Sequence, residues 1–477
     1  MSRSSEWRTA MGNSTIRSLV ERYIEFSTKS GAVFGQYPEV EPLRFFVFKG
    51  LLVERHAHGL KDHVKHWLRP FLRRARTHLP DRRADVLIWV ENKYEVVVDA
   101  LLPVYRELVA RDVDLELVSH RGPENLPAAA RVFEYPARAR SPVWASAAWE
   151  ALCDCEEGLR DRTLRRSFHH ACAMLQGLYE ELHRLLDAAA PKVVLCASTQ
   201  QIGGAALMVA SRQQSIRSLL LQHGMLGSNY TPLLADLMLI WGPSSEEIMV
   251  SLGLPRARLL TVGSPRHDSM RPSRNGQARV TLLRALGLSD RPTFVFFSQG
   301  NDPAAPDAAV ESARWLETMA AQYASALNVV VRLHADEDGT LYRGCPHLRV
   351  MSRGVELATV LDGCDWIGSL DSTVLYDGLL YGKPAWQLDA DHWPTIGLNW
   401  RQGLAVRVSS ERHFSDMVRE IFAQGAASGV DEALVARAFA NHGRATQVVA
   451  DVVTSQLRPP EPDPRASALK QRHVTGV

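Results

Sequence analysis

PKVVLCAS (191–198), QQIGGAALMVASRQQ (200–214), IRSLLLQHG (216–224), ADLMLIWGP (235–243), SSEEIMVSLG (244–253) and ARLLTVGSP (257–265) follow one another along the chain. Four of these are short, unbroken Val/Ile/Leu runs. Such runs fit strands buried on both faces, not strands with one wet face. The segments after the first and third runs have helical spacing, so the stretch spells successive β-α-β units and predicts a parallel sheet. The same alternation appears upstream in ADVLIWV (84–90), EVVVDALLPVYRELVARD (95–112) and VDLELVS (113–119). Between the two blocks, Leu164, Phe168, Cys172, Leu175, Tyr179, Leu182 and Leu186 form a helical stripe suited to packing on that sheet.

Periodicity lapses at SMRPSRNGQ (269–277), which marks a crossing between domains. A second α/β series follows: TFVFFSQG (293–300), a helix through Ala308 to Ala324, NVVVRLHAD (328–336), HLRVMS (347–352), VELATVLDGC (355–364), DWIGSLD (365–371), STVLYDGLLYGK (372–383) and PAWQLDA (384–390). The predicted fold class is therefore α/β, with two Rossmann-like domains facing a cleft and an N-terminal helical extension. The divisions expected are a helical, basic extension over 1–83, an N-terminal Rossmann-like domain over 84–268, a C-terminal one over 278–425, a crossover helix over 430–455 and a disordered tail over 458–477. The tail is proline-rich and polar. Within the extension, Asn13-Ser14-Thr15 precede an amphipathic helix carrying Ile16, Leu19, Val20, Tyr23 and Ile24. Residues 54–83 hold nine Lys/Arg against three Asp/Glu, with an apolar side of Leu60, Val64, Trp67, Leu68, Phe71 and Leu72. Pro70 divides that segment. It is expected either to contact an anionic membrane surface or to pack by its apolar side on the N-terminal domain.

Composition bounds the function. Over 477 residues, 46% are hydrophobic and 23% charged, as in soluble globular proteins. Lys+Arg 55 against Asp+Glu 53 leaves +2, which gives no global field for nucleic acid, so no nucleic-acid partner is expected. The six cysteines lack metal-type spacing and fit a reduced compartment. No apolar run resembles a secretory signal or a membrane span. The expected location is cytoplasmic, with room for a peripheral position at the inner membrane face.

In open α/β sheets, ligands bind beyond the carboxyl ends of the strands. Four clusters fall there. His223, in Gln222-His223-Gly224, is placed to act as a general base or to cap a loop. In Gly263-Ser264-Pro265-Arg266, Ser264 and Arg266 can bind phosphate, unless the segment is a plain turn. Ser298 and Gln299 pair with Arg332 and His334 at two further strand ends, as the donors of a nucleotide pocket. Ser372 and Thr373 open a helix and can hold phosphate or simply cap it. Glu91, after the first strand, is the rival base. No GxxxxGK[ST], GxGxxG after the first strand, HExxH or GxSxG is present, which argues against P-loop NTPases, dinucleotide enzymes, zinc proteases and serine hydrolases.

Taken in order, LLLQHGMLG (219–227), ADLMLIWGPSSEEIMVSLGLPRARLLTVGSPRHD (235–268), FFSQG (296–300), VVVRLHADED (329–338) and DWIGSLDSTVLYDGLLYGKP (365–384) resemble the GT-B glycosyltransferases of bacterial surface or capsular polysaccharide synthesis, the capsule and CDP-glycerol transferase-like groups in particular. The resemblance spans about 84–425. It implies an inverting glycosyl transfer from a CMP-, CDP- or UDP-linked sugar to a surface glycan or lipid-linked acceptor. It places His334, Arg332, Ser298 and Gln299 on the nucleotide, Ser372 and Thr373 on its phosphates, and His223 facing the acceptor. Gln299-Gly300 and His334-Ala335 stand where the family has Gln-Pro and His-Pro, so both prolines are missing. No cofactor or metal is expected; Asp389-Ala390-Asp391 is a metal-type pair by spelling alone. A nucleotide-sugar epimerase of the UDP-GlcNAc 2-epimerase type shares this architecture, and a non-catalytic nucleotide-binding scaffold is the third reading.

Overall fold

The computed structural model describes residues 19–44, 47–48, 79–91, 95–120, 126–133, 142–156, 159–160, 162–227, 230–273, 276–299, 306–334, 337–352, 354–370, 372–388, 403–424 and 430–457. Most of the basic segment (54–78), the tail (458–477), Asn13-Ser14-Thr15, Gly300, Ala335, Asp371 and Asp389-Ala390-Asp391 lie outside them.

The Val/Ile/Leu runs build two parallel sheets. The first takes β1 (Val86–Glu91), β2 (Leu115–His120), β3 (Arg131–Phe133), β4 (Val193–Cys196), β5 (Arg217–Leu221), β6 (Leu237–Ile240) and β7 (Leu259–Thr261), in the order β3-β2-β1-β4-β5-β6-β7. The second takes β8 (Thr293–Phe297), β9 (Asn328–Arg332), β10 (Arg349–Met351), β11 (Trp366–Ser369), β12 (Ala385–Leu388) and β13 (Val406–Val408), ordered β10-β9-β8-β11-β12-β13. Every residue of β1 is buried, because helices cover both sheet faces. The core on one side of the first sheet takes α3 (Trp144–Cys155), α4 (Arg162–Ala189), α5 (Ile202–Gln213) and α6 (Pro243–Ser251), and the 164–186 stripe enters it. The other side takes α2 (Glu95–Ala110) through Val97, Leu101, Val104 and Leu108.

The extension is part of this first core. Helix α1 (Leu19–Gln36) and the turn that follows bury Phe26, Val33, Phe34, Val40 and Leu43 in the same cluster as α4. Arg44, paired with Glu41 at 2.7 Å and lying 4.1 Å above the Phe34 ring, fixes the turn.

After β7 the chain leaves the first sheet through a 3-10 turn, Pro265–His267, and α7 (Gln277–Leu286) opens the second unit behind left-handed Gly276. The second sheet is covered by α8 (Pro306–Gln322), α9 (Leu357–Gly363), α10 (Val374–Leu380) and α11 (Glu411–Gln424). The chain then returns to the first half. In place of the single helix expected over 430–455 there are two, α12 (Glu432–Ala438) and α13 (Ala445–Ser455). The break is enforced by Asn441 (φ 51°) and Gly443 (φ 83°), whose left-handed backbone no α-helix accommodates. Helix α13 buries Val449, Ala450 and Val453 against α2, and Arg111 ties to Asp451 at 2.6 Å. Asp268 caps α13, accepting from the Ala445 and Thr446 N–H groups at 2.9 and 2.8 Å.

This return explains two glycines. A Cβ on Gly242 would lie 2.5 Å from the Ala438 carbonyl oxygen, and one on Gly263 (φ 95°) 2.2 Å from that of Ala440. The WG and TVGSP turns are thus the floor on which the returning chain lies, backbone on backbone. Among the described residues, no helix is long and apolar enough to cross a membrane.

Candidate functional site

The carboxyl ends of the two sheets face each other across a cleft. Gly224, three residues past β5, has its missing Cβ 3.3 Å from Thr373 Oγ1 at the start of α10. The loop carrying His223 and the turn carrying Ser372 and Thr373 are therefore opposite walls in direct apposition.

Gln222 braces the first wall. Its side chain accepts from Trp241 N–H at 2.9 Å and donates to the Gly224 carbonyl at 3.0 Å, while its own carbonyl accepts from Trp241 Nε1 at 2.8 Å. His223 is 8% exposed. Its Nδ1 contacts the Ala197 carbonyl at the end of β4, with the Tyr230 hydroxyl 3.4 Å away. A carbonyl only accepts, so Nδ1 carries the proton and Nε2 presents a lone pair. Nε2 makes no hydrogen bond among the described residues. Burial brings the imidazole down to about 4, against the pull of the Ala197 carbonyl and with help from the Arg266 charge, so it is neutral at pH 7. A neutral imidazole with an available nitrogen can take a proton from a hydroxyl.

Glu91 is placed differently. It is 5% exposed, and Oε2 accepts from Trp89 Nε1 at 2.7 Å and from Gly204 N–H at 3.0 Å. The carboxylate sits on the first turn of α5, where the helix dipole favours an anion. Gly204 has no room for a side chain because of the Ser198 carbonyl oxygen, which a Cβ there would meet at 2.0 Å, whereas Glu91 Oε2 would lie 3.8 Å away.

Ser264 and Arg266 belong to a buried network that bolts the two halves together. Arg266 Nη2 lies 3.1 Å from both carboxylate oxygens of Asp377 on α10, with both side chains nearly inaccessible. His267 donates from Nε2 to Asp377 at 2.7 Å and accepts at Nδ1 from the Ser264 hydroxyl at 2.5 Å. Trp241, Tyr376 and Phe439 surround this cluster edge-on or tilted, at ring separations of 4.7 to 5.9 Å. Burial would raise the Asp377 carboxyl, but the Arg266 charge and the His267 hydrogen bond outweigh it and hold the group below its usual range. Burial takes His267 down to about 4 in spite of Asp377, so the ring is a neutral donor. Arg266 Nη1 is buried without a hydrogen-bond partner among the described residues. His267 and Asp377 escape sequence reasoning because their pairing spans 110 positions and two domains.

In the second half, Ser298, Arg332 and His334 stand at the ends of neighbouring strands β8 and β9. Ser298 N–H donates to the Arg332 carbonyl at 3.0 Å. The Ser298 hydroxyl donates to Glu337, and the His334 N–H lies 2.8 Å from that carboxylate. The Arg332 guanidinium donates to the Val355 carbonyl at 2.9 Å. Gln299 Oε1 accepts from Ser369 at 3.4 Å, which links the β8 end to the β11 end. Ser372 caps locally toward Val374 N–H at 3.4 Å. The structure thus gathers Ser298, Gln299, Ser372 and Thr373 on one wall, sets His223 opposite, and encloses Arg266 in the bolt.

No protein-family model and no curated protein matches the chain. Solved structures do. A putative UDP-N-acetylglucosamine 2-epimerase from Listeria monocytogenes superposes with a TM-score of 0.52 at 11% identity, covering 78% of this chain and 96% of its own. The Neisseria meningitidis UDP-GlcNAc 2-epimerase bound to UDP-GlcNAc gives 0.50 at 12%, covering 78% and 99%. The kitacinnamycin glycotransferase gives 0.50 at 15%, covering 79% and 100%. The chain has the GT-B type of fold. The GT-B arrangement accounts for the facing strand ends, and at these identities what is shared is the fold.

Proposed function

We propose that this chain is a nucleotide-sugar enzyme, a glycosyltransferase that passes a sugar from a CMP-, CDP- or UDP-linked donor to a surface-glycan or lipid-linked acceptor without a metal. The observation that carries the reading is the apposition at Gly224. It sets a neutral histidine with an available Nε2 against a wall of hydroxyls at the ends of β8 and β11. In this mechanism His223 Nε2 takes the acceptor hydroxyl proton as the oxygen attacks the anomeric carbon. The nucleotide leaves with the bonding electrons, and a single displacement inverts the anomeric centre. Ser372 and Thr373 bind the departing phosphate, and Ser298, Gln299, Arg332 and His334 frame the nucleotide. Glu91 keeps its place as rival base, although its carboxylate already receives two donors. The basic segment 54–83 offers the lipid-linked acceptor an anionic-surface contact, which salt-sensitive co-sedimentation with anionic vesicles tests.

The epimerase reading is favoured by one fact, that two of the three structures compared above are named UDP-GlcNAc 2-epimerases. Nucleotide release separates the two. With UDP-GlcNAc alone, an epimerase produces the 2-epimer with no acceptor present. A transferase releases nucleotide only when an acceptor is added, and production of the epimer without acceptor would overturn the transferase reading.

A further inference from the structure

In the triplet Gln222-His223-Gly224, the Gln222 amide is fully buried and spans the histidine, from the residue before it to the residue after it. A main-chain N–H only donates and a carbonyl only accepts. The contacts with Trp241 N–H at 2.9 Å and with the Gly224 carbonyl at 3.0 Å therefore fix which end of the amide is oxygen and which is nitrogen. The main-chain carbonyl of Gln222 holds Trp241 a second time, through Nε1 at 2.8 Å.

Trp241 is itself fixed across the cleft. Its ring meets Tyr376 of α10 at 5.5 Å and His267 at 5.0 Å, both edge-on. Tyr376 N–H donates to the Thr373 carbonyl at 2.9 Å. Thr373 Oγ1 in turn faces Gly224, 3.3 Å from where a Cβ would stand. Gln222, Trp241, Tyr376, Thr373 and Gly224 thus form a closed circuit that passes between the two halves twice. Without a donor at the end of the Gln222 side chain, the circuit opens at Gly224, beside the base.

We propose that Gln222 is a positioning residue for the general base: by clamping Gly224 to Trp241 it registers His223 against the α10 wall and keeps the imidazole in the tautomer that leaves Nε2 a lone pair. The assignment rests on the reading above, in which His223 takes the acceptor proton. A base displaced by about 1 Å can lose roughly a hundredfold in rate.

Two substitutions separate a clamp from a packing role. Gln222→Met keeps the reach and removes both polar ends. Gln222→Glu depends on pH. Protonated, its O–H donates to the Gly224 carbonyl while its carbonyl accepts from Trp241 N–H, as the amide does; ionised, it sets one acceptor against another. Burial pushes such a carboxyl up from its ordinary value of about 4.3. Arg266, Asp377, His267, Tyr230 and Tyr376 surround the same circuit, so each variant is read against the wild type at the same pH.

Nitrogen NMR of the full chain labelled at histidine reads the imidazole directly, with His223→Ala identifying its signals among the 17 histidines. The wild type is expected to show a single Nδ1–H tautomer at neutral pH. Gln222→Met is expected to show both tautomers, with His223 titrating above about 5 instead of at about 4 as the ring gains water. Gln222→Glu should match the wild type at about pH 5.5 and Gln222→Met at about pH 8.5. Calorimetry with CMP, CDP, UDP and GDP is expected to give both variants affinities within about threefold of the wild type, since the nucleotide is framed from the other half. Three results overturn the assignment: an unaltered tautomer in Gln222→Met, a Gln222→Glu imidazole no closer to the wild type in acid than in base, or loss of the fold in both variants by circular dichroism. If the wild type binds none of the four nucleotides, the nucleotide-sugar reading falls, while the His223 signals still show whether Gln222 holds the imidazole.

Discussion

Replacing Asp377 by Asn tests how the two halves are held together. Asp377 is fully enclosed, faces Arg266 Nη2 through both oxygens at 3.1 Å, and receives His267 Nε2 at 2.7 Å. The amide oxygen of Asn can still accept from His267, so packing and one hydrogen bond persist. What is lost is the charge opposite a guanidinium that is almost inaccessible to water. Breaking a buried pair from one side leaves an uncompensated charge and costs about 3–5 kcal/mol. For units of this size that corresponds to about 6 to 20 °C in melting temperature, read by circular dichroism. Arg266→Met combined with Asp377→Asn removes both charges and is expected to be less damaging than the two changes summed, with a coupling of about 2 kcal/mol in the double-mutant cycle. The surface pair of Arg412 with Asp416, at 93% and 50% exposure, serves as control, since Asp416→Asn should change stability by less than about 1 kcal/mol. If Asp377→Asn melts within about 1 kcal/mol of the wild type, the bolt does not hold the domains and the reasoning fails.

Three further outcomes follow from the same geometry. His223→Ala should cut turnover by about 10² to 10⁴ while nucleotide affinity persists; an inactive Glu91→Gln beside a near-normal His223→Ala would exchange their roles. Acid should destabilise the fold. His223 and His267 fall from 6.5 to about 4 on folding, so the unfolded chain binds more protons between those values. Stability is complete above pH 6.5 and declines toward pH 4, by at most roughly 3 kcal/mol per histidine, and a urea midpoint unchanged between pH 7 and 5 would contradict this. Gly224→Val, pressed against Thr373, should wedge the walls apart and lower turnover roughly tenfold or more with little change in melting temperature.

The strands were legible because their burial on both faces leaves an unbroken apolar run, as in VLIWVE and VVLC. His223 was legible as a strand-end histidine, and the tautomer set by the Ala197 carbonyl was not, because that carbonyl belongs to a different strand 26 positions away. The same limit hid the bolt. Arg266 reads as a surface phosphate ligand until Asp377 arrives from the other domain. The glycines of WG and TVGSP read as turn residues, and their need for no side chain arises from the distant segment that carries Ala438 and Ala440. The helix over 430–455 fails at Asn441 and Gly443, where Phe439 must turn in to meet Trp241. Glu337 went unmarked because a charged residue in a loop carries no periodic signal, and its anchorage comes from Ser298 on the adjacent strand.

Titration calorimetry of the full chain with CMP, CDP, UDP and GDP bears most directly on the central claim, that this cleft serves nucleotide-sugar chemistry. The account predicts that at least one of the four binds with a single site per chain, and that His223→Ala binds it as tightly as the wild type. If none of the four binds to the folded protein, the cleft does not hold a nucleotide and the claim is wrong.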